Sequence, residues 1–169
     1  MRERNSKRAS GESRGALFAD PIGLTPCTGR DFAWLLGERD GDLDLSVAPE
    51  LAPTEVLAVV RGLPRSWMII EGGEIVGLIS LLGGREQPPE TVEIGYGVAA
   101  SREGRGFASR AVRSLLDILQ SEGVKTIVAE SSVTNPASER VLVRNGFSPA
   151  GERDDAEDGR VIQWRLELD

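Results

Sequence analysis

Histidine is absent from this 169-residue chain. That excludes a Ser-His-Asp triad, a Cys-His dyad and any His-ligated metal. Cysteine occurs once, as Cys27, so neither an internal disulfide nor a multi-cysteine zinc site can form. A single cysteine fits a reducing compartment such as the cytoplasm. Tyrosine also occurs once, at Tyr96. General acid–base chemistry must therefore come from carboxylates, Lys, Tyr96, Cys27 or water. Long apolar runs are missing too. The longest, Ile75 to Leu82, is too short to cross a bilayer, and no signal-peptide core follows the N-terminus.

The formal net charge is −7. The first sixteen residues hold five Arg or Lys against two Glu, so their +3 leaves −10 on the remainder. A body of that sign disfavours nucleic acid and is easier to reconcile with an amine-bearing partner. The length corresponds to one domain able to bury a core without metals or cross-links. Met1 to Gly15 is polar and aperiodic and is expected to be a disordered tail, with the domain running from residue 16 to 169.

Element signals are regular after residue 22. A short strand over Ile22–Pro26 precedes a helix starting at Thr28 or Asp31 and ended by Gly37. Glu38 to Glu50 is acidic. Pro53-Thr54-Glu55 opens a second helix through Val60. Two apolar runs flank Glu71-Gly72-Gly73-Glu74, which predicts a hairpin. Thr91 to Val98 is a strand with Val92, Ile94, Tyr96 and Val98 on one face and Thr91, Glu93, Gly95 and Gly97 on the other. Ala108, Ala111, Val112, Leu115, Leu116 and Leu119 recur at helical spacing over Phe107–Glu122. A strand at Thr126–Ala129, a helix from Asn135-Pro136 to Asn145, and two final strands complete the order, with an acidic loop expected over Glu152–Asp158. The fold class is therefore α/β, an α+β mixed sheet with one parallel strand–helix–strand crossover.

The segment Glu103-Gly104-Arg105-Gly106-Phe107-Ala108 enters the strongest helix. Glycines at a helix N-terminus let successive amides point at phosphate oxygens, and Arg102 and Arg105 add positive charge. A connecting turn is the plainer alternative. A dinucleotide fold fits poorly: the third small residue is Ser109, the glycines lie beyond the strand end, and too few crossovers remain. No G-K-[ST] follows, which excludes a Walker loop.

Three motifs in order carry a resemblance. They are Glu93-Ile94-Gly95-Tyr96, the Gly104/Gly106 loop, and Asn135-Pro136-Ala137-Ser138 closing at Asn145-Gly146-Phe147. Together they resemble the GNAT superfamily of N-acetyltransferases, most closely its Rim-type branch, over roughly residues 66 to 168. The resemblance implies a mostly antiparallel sheet with splayed central strands and acetyl-CoA as co-substrate, with no metal. It implies that the CoA pyrophosphate sits on the amides of Gly104, Arg105, Gly106, Phe107, Ala108 and Ser109. The thioester carbonyl would meet the amide near Val98, and Asn135 and Ser138 would contact pantetheine. Glu103 departs from the usual Gln or Arg and sets a carboxylate beside the pyrophosphate. Leu142 stands where many members carry an acidic Tyr, so Ser138 or water is the expected acid.

Acetyl transfer needs a neutral amine, and amines of pKa about 8 to 10.4 call for a base or water relay. Glu93, on the glycine face, is the expected base. A structural Glu paired with an Arg is the bland alternative. Asn135 also reads as a helix N-cap. The acceptor is expected to be a small-molecule amine or a peptide N-terminus, on a monomer or homodimer, and the two acidic stretches either steer it or are plain solvated loops. A non-catalytic acyl-CoA sensor with the same fold is the alternative, and no membrane or nucleic-acid partner is expected.

Overall fold

A computed structural model describes residues 22–41, 44–83 and 88–169. The expected tail and the start of the domain lie outside the described residues, as do Asp42 and the middle of the loop after Leu82. The elements are β1 (Leu24–Pro26), α1 (Gly29–Leu35), β2 (Ser46–Val47), α2 (Thr54–Arg61), β3 (Arg65–Glu71), β4 (Glu74–Leu82), β5 (Thr91–Val98), α3 (Phe107–Ser121), β6 (Thr126–Ser132), α4 (Pro136–Arg144), β7 (Ser148–Asp155) and β8 (Gly159–Glu167).

Local chemistry sets several boundaries. Of the two candidate starts for α1, Thr28 is the N-cap and Asp31 its reciprocal partner. Thr28 N–H donates to Asp31 Oδ2 at 2.7 Å, and Asp31 N–H donates to Thr28 Oγ1 at 3.4 Å. The β3–β4 turn at Gly72-Gly73 has positive φ at both residues, +56° and +81°, as a primed hairpin turn requires. α2 begins at Thr54 with Pro53 as its N-cap, one residue outside the helix.

One sheet in the order β1-β3-β4-β5-β6-β8-β7 organises the chain. All neighbours along it are antiparallel except β5 and β6, which α3 connects in parallel. The sequence reading missed β2, which pairs in parallel with Glu74 and Ile75 of β4. It takes the edge of β4 just beyond the point where β5 ends, since Val98 pairs with Gly77. The expected acidic loop Glu152–Asp158 is mostly strand. Glu152 to Asp155 belong to β7, and cross-strand pairs such as Arg160–Glu152 (2.8 Å) neutralise it.

Helices cover both faces. The alternating residues Trp67, Ile69, Ile79, Leu81, Ile94, Ile127, Ala129 and Trp164 form one core with the buried stripe of α3 and with Leu142 of α4. Met68, Ile75 and Leu78 form the other with Phe32 of α1 and Leu57 of α2. Tyr96 and Val98 thus face the α3–α4 side, and Gly95 and Gly97 face the α1–α2 side.

The β4–β5 contact is unusually close at its end: a Cβ on Gly77 would stand 2.4 Å from the Gly97 carbonyl oxygen. Gly77→Ala is expected to lower stability by about 1–3 kcal/mol. A urea midpoint equal to that of the parent chain would show that the two strands do not meet so closely.

Candidate active site

The central feature is a ladder that stops. β5 and β6 pair from Thr91–Thr126 to Ile94–Ala129 and no further. β5 continues to Val98 on β4, and β6 continues to Ser132 on β8. Each strand keeps its outer partner and loses its inner one, so a groove of about 600 Å3 opens between Tyr96–Val98 and the start of α4, running to the start of α3.

At that end the chain makes a single 3-10 turn, Ala100–Arg102, then Glu103 in extended conformation. Gly104 (φ +73°) and Gly106 (φ +78°) take left-handed conformations, and a Cβ at either would meet no heavy atom within 4 Å. Gly106 is the N-cap of α3 and can offer no side-chain cap. The first-turn amides are thus left to whatever enters the groove, with the helix dipole behind them.

Most of the expected cofactor residues line this groove: Val98, Glu103, Gly104, Gly106, Phe107, Ala108, Ser109, Asn135 and Ser138. Arg105 stands outside that lining. Arg102 lines it, but its charge is already engaged, because Nε and Nη2 donate to Glu74 at 2.7 and 2.9 Å. The same contact holds the Glu74 carboxyl below the usual carboxylate range. Arg102 therefore works as a tether between the loop and β4. Two residues to which the sequence reading gave no site role, Arg140 and the motif residue Arg144, line the groove from α4 and lie one turn apart. Their i, i+4 spacing in an acidic chain was the available signal.

Asn135 caps α4 through Oδ1, which accepts from Ser138 N–H at 3.1 Å. Its Nδ2 is the donor that the cap does not use. Ser138 Oγ lies 2.9 Å from Tyr96 Oη, and Tyr96 Oη also donates to the Ser138 carbonyl oxygen at 3.2 Å. Tyr96 and Ser138 thus join β5 to the first turn of α4. Burial pushes the Tyr96 phenol up to about 12, against a smaller opposing effect of its bond to Ser138, so it keeps its proton through the neutral range. The sequence marked Tyr96 as solitary but did not place it in the site, because its partner is 42 residues away.

Asn145 was read only as part of a motif. Its Nδ2 donates to the Ser109 carbonyl oxygen (3.1 Å) and to the Val141 carbonyl oxygen (2.9 Å), tying the first turn of α3 to the end of α4.

Glu93 is buried, 7% exposed, on the opposite face of β5, paired in register with Leu82 and Val128. It does not line the groove. Cys27 is half-buried, and burial, reinforced by Asp31, pushes its thiol up to about 12. It has no thiolate at neutral pH and is a poor nucleophile. Several carboxylates of the expected steering field are paired internally: Glu38 with Arg61, Asp155 with Arg153, and Glu152 with Arg160.

A mixed sheet with one interrupted parallel pair, and a groove ending on an uncapped helix N-terminus, suit an extended ligand that carries an anionic group. Comparison with known proteins gives the family. A model of the acetyltransferase (GNAT) domain matches residues 51–148, and the chain belongs to that family. It is 37% identical over 89 residues to the ribosomal-protein-serine acetyltransferase of Escherichia coli (strain K12). That stretch covers 52% of this chain and about half, 49%, of the relative. Among solved structures, AAC(6')-Ib in complex with ribostamycin and coenzyme A has a TM-score of 0.66 at 21% identity, covering 88% of this chain and 94% of that one. RimJ of Mycobacterium smegmatis in complex with CoA-disulfide has a TM-score of 0.64 at 23% identity, covering 86% and 81%. At these identities the structures speak for the fold.

Opposed charges along the groove yield a two-way test. Glu103→Gln should tighten coenzyme A binding about 2- to 5-fold, as expected for removing an exposed like charge. Arg140→Ala and Arg144→Ala should each weaken it by a similar or larger factor, less so at high salt. Titration calorimetry at two ionic strengths reads all three. A weaker Glu103→Gln complex would mean that the carboxylate does not face the anion.

Proposed function

We propose that the chain is an acetyl-CoA-dependent N-acetyltransferase acting on a primary amine. The observation that carries this reading is the loss of β5–β6 pairing beyond Ile94 and Ala129, with the groove leading from there to the α3 amides. In this reading the pyrophosphate rests on the amides from Gly104 to Ser109, with Arg140 and Arg144 on the opposing wall. Pantetheine lies in the opened strands, held by Asn135 Nδ2 and the edge of β5 near Val98.

The amine nitrogen attacks the thioester carbonyl carbon, a C–N bond forms and the C–S bond breaks. The departing thiolate is stabilised by a hydrogen bond from Ser138 Oγ, which Tyr96 Oη holds in place across the 2.9 Å contact, and takes its proton from water. The proton released by the amine goes to water and then to Glu93. A relay is needed because Glu93 lies four residues from Gly97, about 13 Å along an extended strand. The same separation favours a second reading, a sensor that binds acyl-CoA without turnover. A chain with one protonated thiol suits a cytoplasmic setting.

Thiol release from acetyl-CoA with a panel of amines, followed by mass spectrometry of the products, separates the two readings. Stabilisation against heat by coenzyme A, and not by NAD, should accompany it, amounting to about 2.7 kcal/mol at a ligand concentration of 100 Kd. Glu93→Gln should lower kcat about 10²-fold with little change in acetyl-CoA affinity. Tyr96→Phe and Ser138→Ala should each lower kcat about 10-fold, and the double variant should lose little more, because the two hydroxyls act as one unit. Wild-type turnover in Glu93→Gln across the pH range would remove Glu93 from the mechanism.

A further inference from the structure

A second hollow, of about 210 Å3, opens on the glycine face of β5. Its floor is Leu78 and Ser80 of β4 with Gly95 and Gly97 of β5, and its roof is Val56 and Val60 of α2. It shares Tyr96 and Gly97 with the coenzyme groove, so the two spaces meet at the strand where the thioester would lie. A Cβ on Gly97 would meet nothing within 4 Å, which leaves that crossing open.

Among the described residues the lining contains no Asp, Glu, Lys or Arg. Of its two hydroxyl-bearing residues, Tyr96 turns its Oη to Ser138, and Ser80 Oγ is 3% exposed and lies 2.8 Å from Ser66 Oγ. Two carboxylates stand on the same face of the sheet outside that lining: Glu93, 7% exposed, in register with Leu82 and two residues before Gly95, and Glu130, which accepts from Arg153 at 2.6 and 2.9 Å and from Gln163 at 3.3 Å.

We propose that this hollow receives the side group of the acceptor, and that the acceptor is a primary amine with an apolar substituent next to the reacting nitrogen. The inference rests on the acetyl-transfer reading above. A second ammonium entering the hollow would lose its water with no carboxylate in the described lining to replace it, and Glu93 beside the hollow already serves the reacting nitrogen in the acetyl-transfer reading, so a polycation is a poor guest. An apolar substituent gains by leaving water. An apolar cavity of about 150 Å3 takes up benzene, so this one holds a ring or a branched aliphatic chain. Half-exposed Val56 and Leu82, at 46% and 37%, form the entrance.

The test compares acceptors on the full chain. A peptide beginning with Leu and free leucinamide are set against peptides beginning with Glu or Lys, spermine and kanamycin. The leucyl acceptors should have kcat/KM about 10- to 100-fold higher than the charged ones. Acetylation of the peptide but not of leucinamide would assign the substrate to protein N-termini, and the reverse to small amines. Val56→Asp, at an exposed position, should reduce the preference about 10-fold or more while coenzyme A still stabilises the chain against heat. Leucinamide should add further stabilisation in the presence of coenzyme A, a dead-end complex that needs no turnover. Acetylation that favours spermine or kanamycin, or a preference untouched by Val56→Asp, overturns the inference and leaves acetyl transfer standing. Coenzyme A binding without thiol release from any acceptor removes the transfer reading, and the leucinamide dead-end complex then decides the hollow by itself. Neither coenzyme A binding nor thiol release removes both.

Discussion

The structure turns on two neighbouring strands that part halfway. Backbone donors and acceptors in a sheet interior seldom go without partners. Here the inner edges of Gly95–Val98 and Glu130–Ser132 have no ladder between them, while their outer edges stay paired to β4 and β8. That asymmetry holds the opening rigid. A β-strand edge that is accessible but anchored can accept an extended, amide-bearing chain much as it would another strand. Pantetheine has that character, so the opening and the proposed co-substrate suit each other.

Everything near the opening serves to hold its margins. Arg102 fastens the turn after β5 to Glu74 at the head of β4. Asn145 fastens the first turn of α3 to the end of α4. Tyr96 and Ser138 join β5 to the head of α4 across the gap. Each contact is a hydrogen bond of ordinary geometry between distant parts of the chain. Together they place an uncapped helix N-terminus, a protonated phenol and a strand edge around one space.

What could be read from the sequence follows from the range of the forces involved. The α3 stripe, the hairpin glycines and the Asn135 cap are local, so spacing alone located them, and the glycine loop before α3 was recognisable for the same reason. β2 escaped because two residues inside an acidic stretch carry no period, and only the vacant edge of β4 makes them a strand. β7 was expected to end near Glu152, because the carboxylates that follow look like solvent-seeking residues until Arg153 and Arg160 are seen paired with Asp155 and Glu152. The Tyr96–Ser138 contact joins residues 42 apart, and no local pattern encodes it. The buried position of Glu93, away from the groove, follows from the strand face and equally needed the fold to be seen.

Charge is the subtler lesson. A chain of net charge −7 is an unpromising host for a polyanionic co-substrate if charge is treated as a single sum. Ion pairs are local, however, and screening confines exposed charges to about 8–10 Å at physiological salt. Glu38, Glu74, Glu122, Glu130, Glu152 and Asp155 each have an arginine partner within the fold. The field inside the groove is therefore set by what lines it: Glu103 against Arg140 and Arg144, with the amides of α3 at its end. On the other side of β5 the same logic produces the opposite environment, a hollow whose lining carries no charge among the described residues. One strand thus separates a polar groove suited to an anionic donor from an apolar space suited to an uncharged substituent. Leu82 packs over Gly95, and Gly97, where an added Cβ would meet nothing within 4 Å, leaves the passage between the two spaces open.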